Sequence, residues 1–312
     1  LGYAYERFKH LPATPTVATP YDPDNSPSSQ DLFYLGTSNQ LPIRTFETNY
    51  NNKAVFGQLK NQWTDNWSTT MGVRYDDSST YGSSTNPRIG IVWQPDQITS
   101  AKLLYGEAFL APSPSISFQN FGSFAFQDNS GIYQSVFMQV PNPGLEPEQM
   151  KTLELNLSRQ FGDNLSLTLA LYSEEVTDLI AQVNTPSVQS DFVAGGNIAI
   201  TKWNDNVGKL KATGGDLSLR FRDNWHELNV DLWANYSWID GDLDGVEGEV
   251  GLPFTANNKV KLGATLKYKQ LFISPSIYWL DETSGAETGS RIGQTAGSYT
   301  LANIYLGFTN IF

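Results

Sequence analysis

The stretch NPGLEPEQMKTLELNLSRQFGDNLSLTLALYSEEVTDLI, residues 142–180, is the clearest indication of the fold. Leucines occupy alternate positions in 153–157 and 165–171, on either side of the short polar turn Gly162-Asp163-Asn164. Alternation with a period of two around a tight turn predicts a β-hairpin with one apolar and one polar face. Each arm has about the ten residues that a tilted strand needs to cross a lipid bilayer.

The same alternation recurs along the chain and predicts about twelve antiparallel strands in an all-β, up-and-down transmembrane barrel. Short turns near residues 65, 97, 163, 223 and 270 alternate strictly with long connections. The predicted long loops cover residues 12–48, 77–86, 111–147, 183–208, 240–252 and 282–297. Long loops at one end and short turns at the other are typical of outer-membrane barrels. A soluble β-sandwich is the alternative, but the polar strand faces are too polar to pack against a second sheet.

Aromatic residues support the membrane interpretation, because they make up 13% of the chain and gather at the predicted strand ends. Those beside the short turns are Trp63, Trp67, Trp93, Phe161, Phe221, Trp225, Tyr268 and Phe272, and those near the other end are Tyr236, Trp238 and Trp279. Two girdles of amphipathic rings suit the two interfaces of a membrane.

Composition narrows the class of protein further. The chain of 312 residues has no cysteine, which excludes disulfides and thiolate metal sites, and its net charge of −12 argues against nucleic acid as a partner. No stretch approaches the roughly 18 apolar residues of a transmembrane helix. The chain opens inside the strand-like run LGYAYERF without a signal peptide, so we expect it to be part of something longer.

Several segments, taken together, resemble the C-terminal barrel of TonB-dependent outer-membrane receptors, the siderophore and iron-complex receptor family. They are YGEAFLAPSPSISF (105–118), NPGLEPEQMKTLELNL (142–157), LTLALYSEEVTDLI (167–180), GLPFTANNKVKLGATLKY (251–268) and TLANIYLGFTNIF (300–312). The resemblance implies a 22-stranded barrel, in which these strands would be the ninth to the twentieth. Residues 1–312 are then expected to form one incomplete domain, which lacks the N-terminal plug, the first strands and the last strand pair.

The resemblance also implies a function. A receptor of this family in the outer membrane of a Gram-negative cell contacts lipid and lipopolysaccharide, and imports a scarce iron chelate, here expected to be a ferric siderophore. TonB supplies the energy through the plug, and no cofactor is required. A haem or cobalamin receptor and a passive porin are the alternatives. An outer-membrane barrel enzyme is the least favoured, since the chain has only two histidines and no recognisable catalytic set.

The predicted loop 111–147 is the candidate ligand-binding region, because a loop facing water should not carry so many rings without a use. Loop 12–48 is expected to assist it. The candidate contacts are Phe118, Phe121, Phe124, Phe126 and Tyr133, with Tyr21 and Tyr34. The alternative is that these rings pack the loops against one another.

Two charged sets are further candidates. Cations predicted to face the lumen, where they would meet an anionic ligand or the plug, are Arg74, Arg88, Arg220, Lys259 and Lys261. Pairing with cross-strand carboxylates is the alternative for most of them. Asp240, Asp242 and Asp244 repeat the first half of a calcium-binding loop, although its twelfth position is Gly251 rather than a bidentate glutamate. Loop 240–252 is therefore a candidate for structural calcium in a nonstandard site, and an ordinary acidic surface loop is the alternative.

Overall fold

The computed structural model describes residues 1–10, 40–45, 48–127, 133–139, 141–190, 196–246, 248–284 and 295–309. These residues form 18 strands and one short helix. Their bounds are β1 Gly2–His10, β2 Gln40–Thr45, β3 Thr48–Gln62, β4 Trp67–Ser78, β5 Gly82–Trp93, β6 Thr99–Leu110, α1 Pro114–Phe118, β7 Gln119–Gln127, β8 Tyr133–Gln139, β9 Glu148–Phe161, β10 Leu165–Ser190, β11 Gly196–Trp225, β12 Leu228–Gly245, β13 Gly248–Gly251, β14 Asn258–Tyr268, β15 Leu271–Leu280, β16 Thr283–Ser284, β17 Thr295–Ala296 and β18 Tyr299–Phe308. Among them, no helix is long and apolar enough to cross a lipid bilayer.

Twelve strands form one antiparallel meander, in the order β1-β3-β4-β5-β6-β9-β10-β11-β12-β14-β15-β18. Each strand of this main sheet pairs with the next main strand along the chain, as expected where hairpins connect successive strands. The prediction of an all-β, up-and-down arrangement with about twelve strands is confirmed. The expected total of 22 strands stays a prediction.

The main sheet has one apolar and one polar face, and strand register shows how they arise. Leu169 of β10 pairs with Leu157 on β9 and Leu217 on β11. The adjacent Thr168 pairs with Ser158 and Ser218 on the opposite face. Residues predicted for the apolar face share it, namely Leu167, Leu169, Val230, Leu232, Leu262 and Leu266. Leu232 and Leu262 are 40% and 45% exposed, as expected of a face that meets lipid rather than a second protein layer.

Three of the predicted long loops, 77–86, 183–208 and 240–252, are wrong, because strands continue through them. Ser78 of β4 pairs with Gly82 of β5, so the predicted loop 77–86 is a tight connection, and strict alternation of short and long connections fails there. The predicted loop 183–208 is instead an extension of the β10–β11 hairpin, paired as far as Ser190 and Gly196. In the third, β12 continues to Gly245 and pairs with β13. Pairing across the hairpin satisfies backbone N–H and C=O groups whether or not the side chains alternate.

The turn between β11 and β12 lies slightly further along the chain than the predicted position near residue 223. It comprises His226-Glu227, and His226 adopts the left-handed conformation, with φ of 57°. Asp223 remains in β11, where its carboxylate accepts hydrogen bonds from the Asn224 backbone N–H (2.8 Å) and from Trp225 Nε1 (2.7 Å). The other predicted short turns lie between strands, as expected.

Glycines on the polar face allow long side chains to lie flat along the sheet. The Trp233 ring covers Gly263, where a Cβ would overlap it, and rests beside Tyr278 with ring centroids 6.3 Å apart. Arg88 likewise crosses Gly72 and donates a hydrogen bond to Gln58 Oε1, two strands away. The polar face is therefore shaped by side chains that reach across neighbouring strands.

A row of charges crosses the apolar face at its long-loop end. Neighbouring strands pair Glu107 with Lys151, Lys151 with Glu175, Glu175 with Lys211, and Lys211 with Asp242. We call these five residues the charged row, in which the sign alternates from strand to strand. A hydrogen bond from Lys209, and the charges of Lys209, Lys211 and Lys151, hold the pKa of Glu175 below its usual range. The row marks the limit of the apolar surface on these strands.

Candidate functional site

Parts of three predicted long loops meet in a small sheet at the long-loop end of the molecule. Strand β2, from the predicted loop 12–48, pairs with β7, and β7 pairs with β8. Strand β8 then runs parallel to residues 196–202 of β11, so the assembly is continuous with the main sheet. We call β2, β7, β8 and residues 196–202 the loop sheet. Segments far apart in sequence are therefore neighbours at the long-loop end of the molecule.

The loop sheet carries most of the predicted aromatic contacts. Phe121 and Phe124 lie on β7, paired with Gln139 and Ser135 of β8. Phe126 and Tyr133 lie at the adjoining ends of the same two strands. The structure thus brings these four positions into one hairpin, while Tyr21 and Tyr34 lie outside the described residues.

Phe118 differs from the other candidate rings. It is the last residue of α1, and its side chain is only 5% exposed. A ring buried to this extent offers little surface to a ligand, so its position favours a packing role at the base of the loop sheet.

Hydrogen bonds of two asparagines join α1 and the segment before β9 to strand β11. The Asn142 backbone N–H donates to Ser117 O (2.8 Å), and Asn142 Nδ2 donates to Asn204 O (2.9 Å). Asn204 Nδ2 in turn donates to Ile116 O (3.0 Å). These bonds link the helix, the segment before β9 and strand β11, so they hold the base of the aromatic hairpin in place.

Asn206 makes a second set of links beside the first. Its Nδ2 donates to Glu146 O (2.9 Å) and Asp178 O (2.7 Å), and its Oδ1 accepts the Glu146 backbone N–H (2.9 Å). Leu145 is almost fully buried alongside. No local pattern in the sequence distinguishes Asn204 and Asn206 from ordinary polar residues in a predicted loop.

The five predicted lumen cations lie on the polar face, but they differ in charge balance. Arg74 donates to both carboxylate oxygens of Asp76, with distances of 2.7–3.0 Å. Arg220 forms a bidentate pair with Asp231, at 2.9 and 2.6 Å. Both arginines are ion-paired, so the alternative of pairing with carboxylates holds for them. Asp231 also accepts a hydrogen bond from Arg222, at 3.2 Å.

Three of the predicted lumen cations have no carboxylate partner among the described residues. Arg88 hydrogen bonds to the uncharged Gln58, and neither Lys259 nor Lys261 forms an ion pair within the described part of the chain. Lys259 and Lys261 lie two residues apart on β14, and therefore point to the same face. Arg88, Lys259 and Lys261 are therefore the predicted lumen cations without a carboxylate partner among the described residues.

The predicted calcium loop is a strand in the structure. Asp240, Asp242 and Asp244 lie at alternate positions of β12, which continues to Gly245. Their partners on β11 are Thr213, Lys211 and Lys209. A strand sets alternate side chains in a row about 7 Å apart instead of wrapping them around one point. Among the residues with described positions, no cluster of three or more histidine, aspartate or glutamate side chains is arranged to hold a metal ion.

Calcium binding by these carboxylates stays a prediction, and limited proteolysis tests it. If the ion is bound, its removal leaves three carboxylates repelling one another, and we expect chelation to speed cleavage within 240–252 while the barrel stays folded. An Asp240→Asn, Asp242→Asn, Asp244→Asn variant should lose this dependence on the chelator. Equal cleavage of the unaltered segment with and without chelator would contradict the prediction.

Comparison with known proteins places the fold in a family context. The family model described as "TonB dependent receptor-like, beta-barrel" matches residues 1–311. The siderophore receptor PirA from Acinetobacter baumannii superposes with a TM-score of 0.63 at 16% identity, covering 98% of this chain and 44% of PirA. The ferric enterobactin receptor PfeA of Pseudomonas aeruginosa, as its G324V mutant, gives 0.63 at 15% identity, covering 84% of this chain and 38% of PfeA.

Two relatives from Vibrio cholerae are similar in sequence. The iron-regulated outer membrane virulence protein is 28% identical over 153 residues, which are 48% of this chain and 22% of that protein. The vitamin B12 transporter BtuB is 24% identical over 227 residues, which are 72% of this chain and 30% of BtuB. The chain therefore spans less than a third of the length of these curated relatives.

Proposed function

Because the chain belongs to the TonB-dependent receptor β-barrel family, we propose that it forms part of an outer-membrane receptor that imports a ferric siderophore. The family and the solved neighbours are receptors and transporters rather than enzymes. The proposed setting is the outer membrane of a Gram-negative cell, with the apolar face against lipid and lipopolysaccharide. TonB is proposed to supply energy through a plug domain of the full-length protein.

The loop sheet is the observation that carries the proposal. A bulky chelate must be held on the outside before transport, and the loop sheet joins three connecting segments at the end of the barrel that faces outward by the usual arrangement of long loops. Aromatic residues at Phe121, Phe124, Phe126 and Tyr133 supply large contact areas with few rotamers to immobilise. The asparagine links at its base provide the rigidity that a preformed site requires.

An iron chelate is favoured over the other ligands by two kinds of similarity. The structural neighbours include siderophore and ferric enterobactin receptors, and one sequence relative is iron-regulated. The unneutralised cations Arg88, Lys259 and Lys261 suit a chelate with a net negative charge. Cobalamin is the second candidate, because the similarity to the vitamin B12 transporter extends over more of the chain.

Uptake by the full-length receptor tests the proposal. The receptor would be produced in a strain that lacks its own iron and cobalamin receptors, with and without TonB. We expect uptake of at least one ferric siderophore, lost in the TonB-negative strain. Uptake of cobalamin or haem alone would mean that the receptor belongs to the same family but takes that ligand instead of a ferric siderophore. TonB-independent passage of small solutes, without any saturable ligand, would favour a passive porin.

A further inference from the structure

Arg159 places a charge on the apolar face of the main sheet, near the short-turn end of β9. It pairs with Leu167 on β10 and with Thr99 on β6, and cross-strand partners share a face. Its side chain is exposed and forms no ion pair with any carboxylate whose position is described. A basic side chain on a lipid-facing surface is costly unless it reaches the polar interface or meets an anion.

The side chain of Arg159 is directed toward the end of the strand. Its Cζ lies 5.3 Å from the centroid of the Phe161 ring, and Phe161 is the last residue of β9. Long basic side chains extend in this way to carry their charge to the headgroup level of a bilayer. A guanidinium stacked on an aromatic ring still presents N–H groups at its edge, in a fork that matches the oxygens of a phosphate.

Asp96, in the turn between β5 and β6, supplies a negative charge beside Arg159. The Gln160 backbone N–H donates to Ile98 O (2.9 Å), which holds this turn against the strand that carries Arg159. The exposed Asp96 carboxylate accepts the Ile98 backbone N–H (3.0 Å). A hydrogen bond from Thr99, others from backbone N–H groups and the charge of Arg159 hold the pKa of Asp96 below its usual range. A cation and an anion that are not joined in an ion pair therefore lie near each other.

The position of these two charges indicates the leaflet that they meet. Short turns of outer-membrane barrels face the periplasm, so Arg159 and Asp96 lie at the level of the inner leaflet. That leaflet consists of phospholipid, whereas lipopolysaccharide occupies the outer one. Arg159 lies within β9, and Asp96 lies in a turn outside the strands, so the positive charge is nearer to the hydrocarbon. In phosphatidylethanolamine the phosphate is likewise nearer to the hydrocarbon than the ammonium group, which gives the complementary order of charges.

We propose that Arg159, Phe161 and Asp96 bind the headgroup of phosphatidylethanolamine, a zwitterionic phospholipid, in the inner leaflet. Arg159 donates hydrogen bonds to the phosphate, Asp96 accepts them from the ammonium group, and the acyl chains continue along the apolar face past Leu157. Phosphatidylglycerol has no cation for Asp96, and the quaternary ammonium group of phosphatidylcholine has no N–H to donate. The inference goes beyond the proposed function, since it concerns the membrane rather than the imported chelate.

Native mass spectrometry of the full-length receptor in detergent tests the inference, with phosphatidylethanolamine, phosphatidylglycerol and phosphatidylcholine of identical acyl chains as probes. We expect the unaltered receptor to bind phosphatidylethanolamine more tightly than the other two lipids. Arg159→Gln should lower that affinity roughly tenfold, as for the loss of a charged hydrogen bond. Arg159→Lys, which keeps the charge, should restore much of it. Asp96→Asn should remove the preference for phosphatidylethanolamine over phosphatidylglycerol.

Lys269→Gln is the matched control. Lys269 Nζ also lies beside a ring at the short-turn end, 5.2 Å from the centroid of Tyr268, but it is already paired with Glu227 at 3.1 Å. Assembly of each variant is checked by the mobility of unboiled samples on gels. Unchanged affinity in Arg159→Gln, or an equal loss in Lys269→Gln, would overturn the inference. So would tighter binding of phosphatidylglycerol by the unaltered receptor, or loss of bound lipopolysaccharide instead of phosphatidylethanolamine in Arg159→Gln.

Discussion

Replacing Leu169 with arginine is expected to destabilise the folded barrel by about 2–4 kcal/mol, the cost of a basic side chain at the lipid-facing midplane. Leu169 lies in the middle of the apolar run of β10 and is flanked by Leu157 and Leu217. Thr168→Arg is the matched control. It changes the neighbouring residue on the polar face, between Ser158 and Ser218, where water and polar groups can solvate the charge.

The measurement is a urea titration of the full-length receptor folding into lipid vesicles, followed by the mobility of unboiled samples on gels. A loss of stability in Leu169→Arg with little change in Thr168→Arg supports the assigned faces. Equal effects of the two substitutions, or a larger effect of Thr168→Arg, would show that the polar face does not line the lumen.

Alanine substitution of all five predicted ring contacts together is expected to weaken binding of the ferric chelate by tenfold or more. The set is Phe118, Phe121, Phe124, Phe126 and Tyr133. Truncating a contact ring typically costs upwards of about 1 kcal/mol, and a tenfold change in affinity corresponds to about 1.4 kcal/mol. Phe118→Ala alone should act differently. Because its ring is buried, this change should loosen the loop sheet rather than remove a direct contact.

Binding of radiolabelled chelate to intact cells measures this effect, with receptor assembly checked on unboiled gels. Trp225→Ala is the control, since Trp225 is an exposed aromatic residue at the short-turn end. Unchanged affinity after all five substitutions, in a correctly assembled receptor, would mean that the rings pack only against the loops. The binding site would then have to lie on other loops or on the plug.

The main sheet was predictable because its signal is local. Alternation in β9 and β10 identifies both faces before any pairing is known, and the turn at Gly162 fixes the register between them. The loop sheet has no such signal. In the loop sheet, Gln40 pairs with Ser123. Pairing between segments so far apart in the chain produces no recognisable pattern in the sequence of either segment.

The calcium motif shows how one pattern can fit two structures. Acidic residues at the first, third and fifth positions of a calcium loop also alternate, as do residues on one face of a strand. The spacing of Asp240, Asp242 and Asp244 therefore could not distinguish the loop from the strand that β12 forms. Pairing with β11 makes this segment a strand rather than a loop, and that pairing depends on residues outside the acidic segment itself.

The candidate sites were partly predictable for a similar reason. The period of two predicted that Arg220 and Lys261 share the polar face, and the strand register agrees. Whether each keeps its charge depends on its cross-strand neighbours, which are a carboxylate within reach of Arg220 and uncharged residues beside Lys261. The sequence therefore left open, for each cation, whether it meets a ligand or pairs with a carboxylate, and the three-dimensional register separates the paired cations from the unpaired ones.

The charged row has a consequence for the thickness of the membrane that suits this protein. On β10 the apolar-face positions run from Leu165 to Ser173 before Glu175 is reached, about 27 Å along the strand. A strand tilt of about 40° reduces this length to a height of about 20 Å. The hydrocarbon of an average bilayer is about 30 Å thick, and the bacterial outer membrane is thinner than average. In a thicker bilayer, Glu175 and its neighbours would be drawn into the hydrocarbon, so hydrophobic matching would favour retention in a thin membrane.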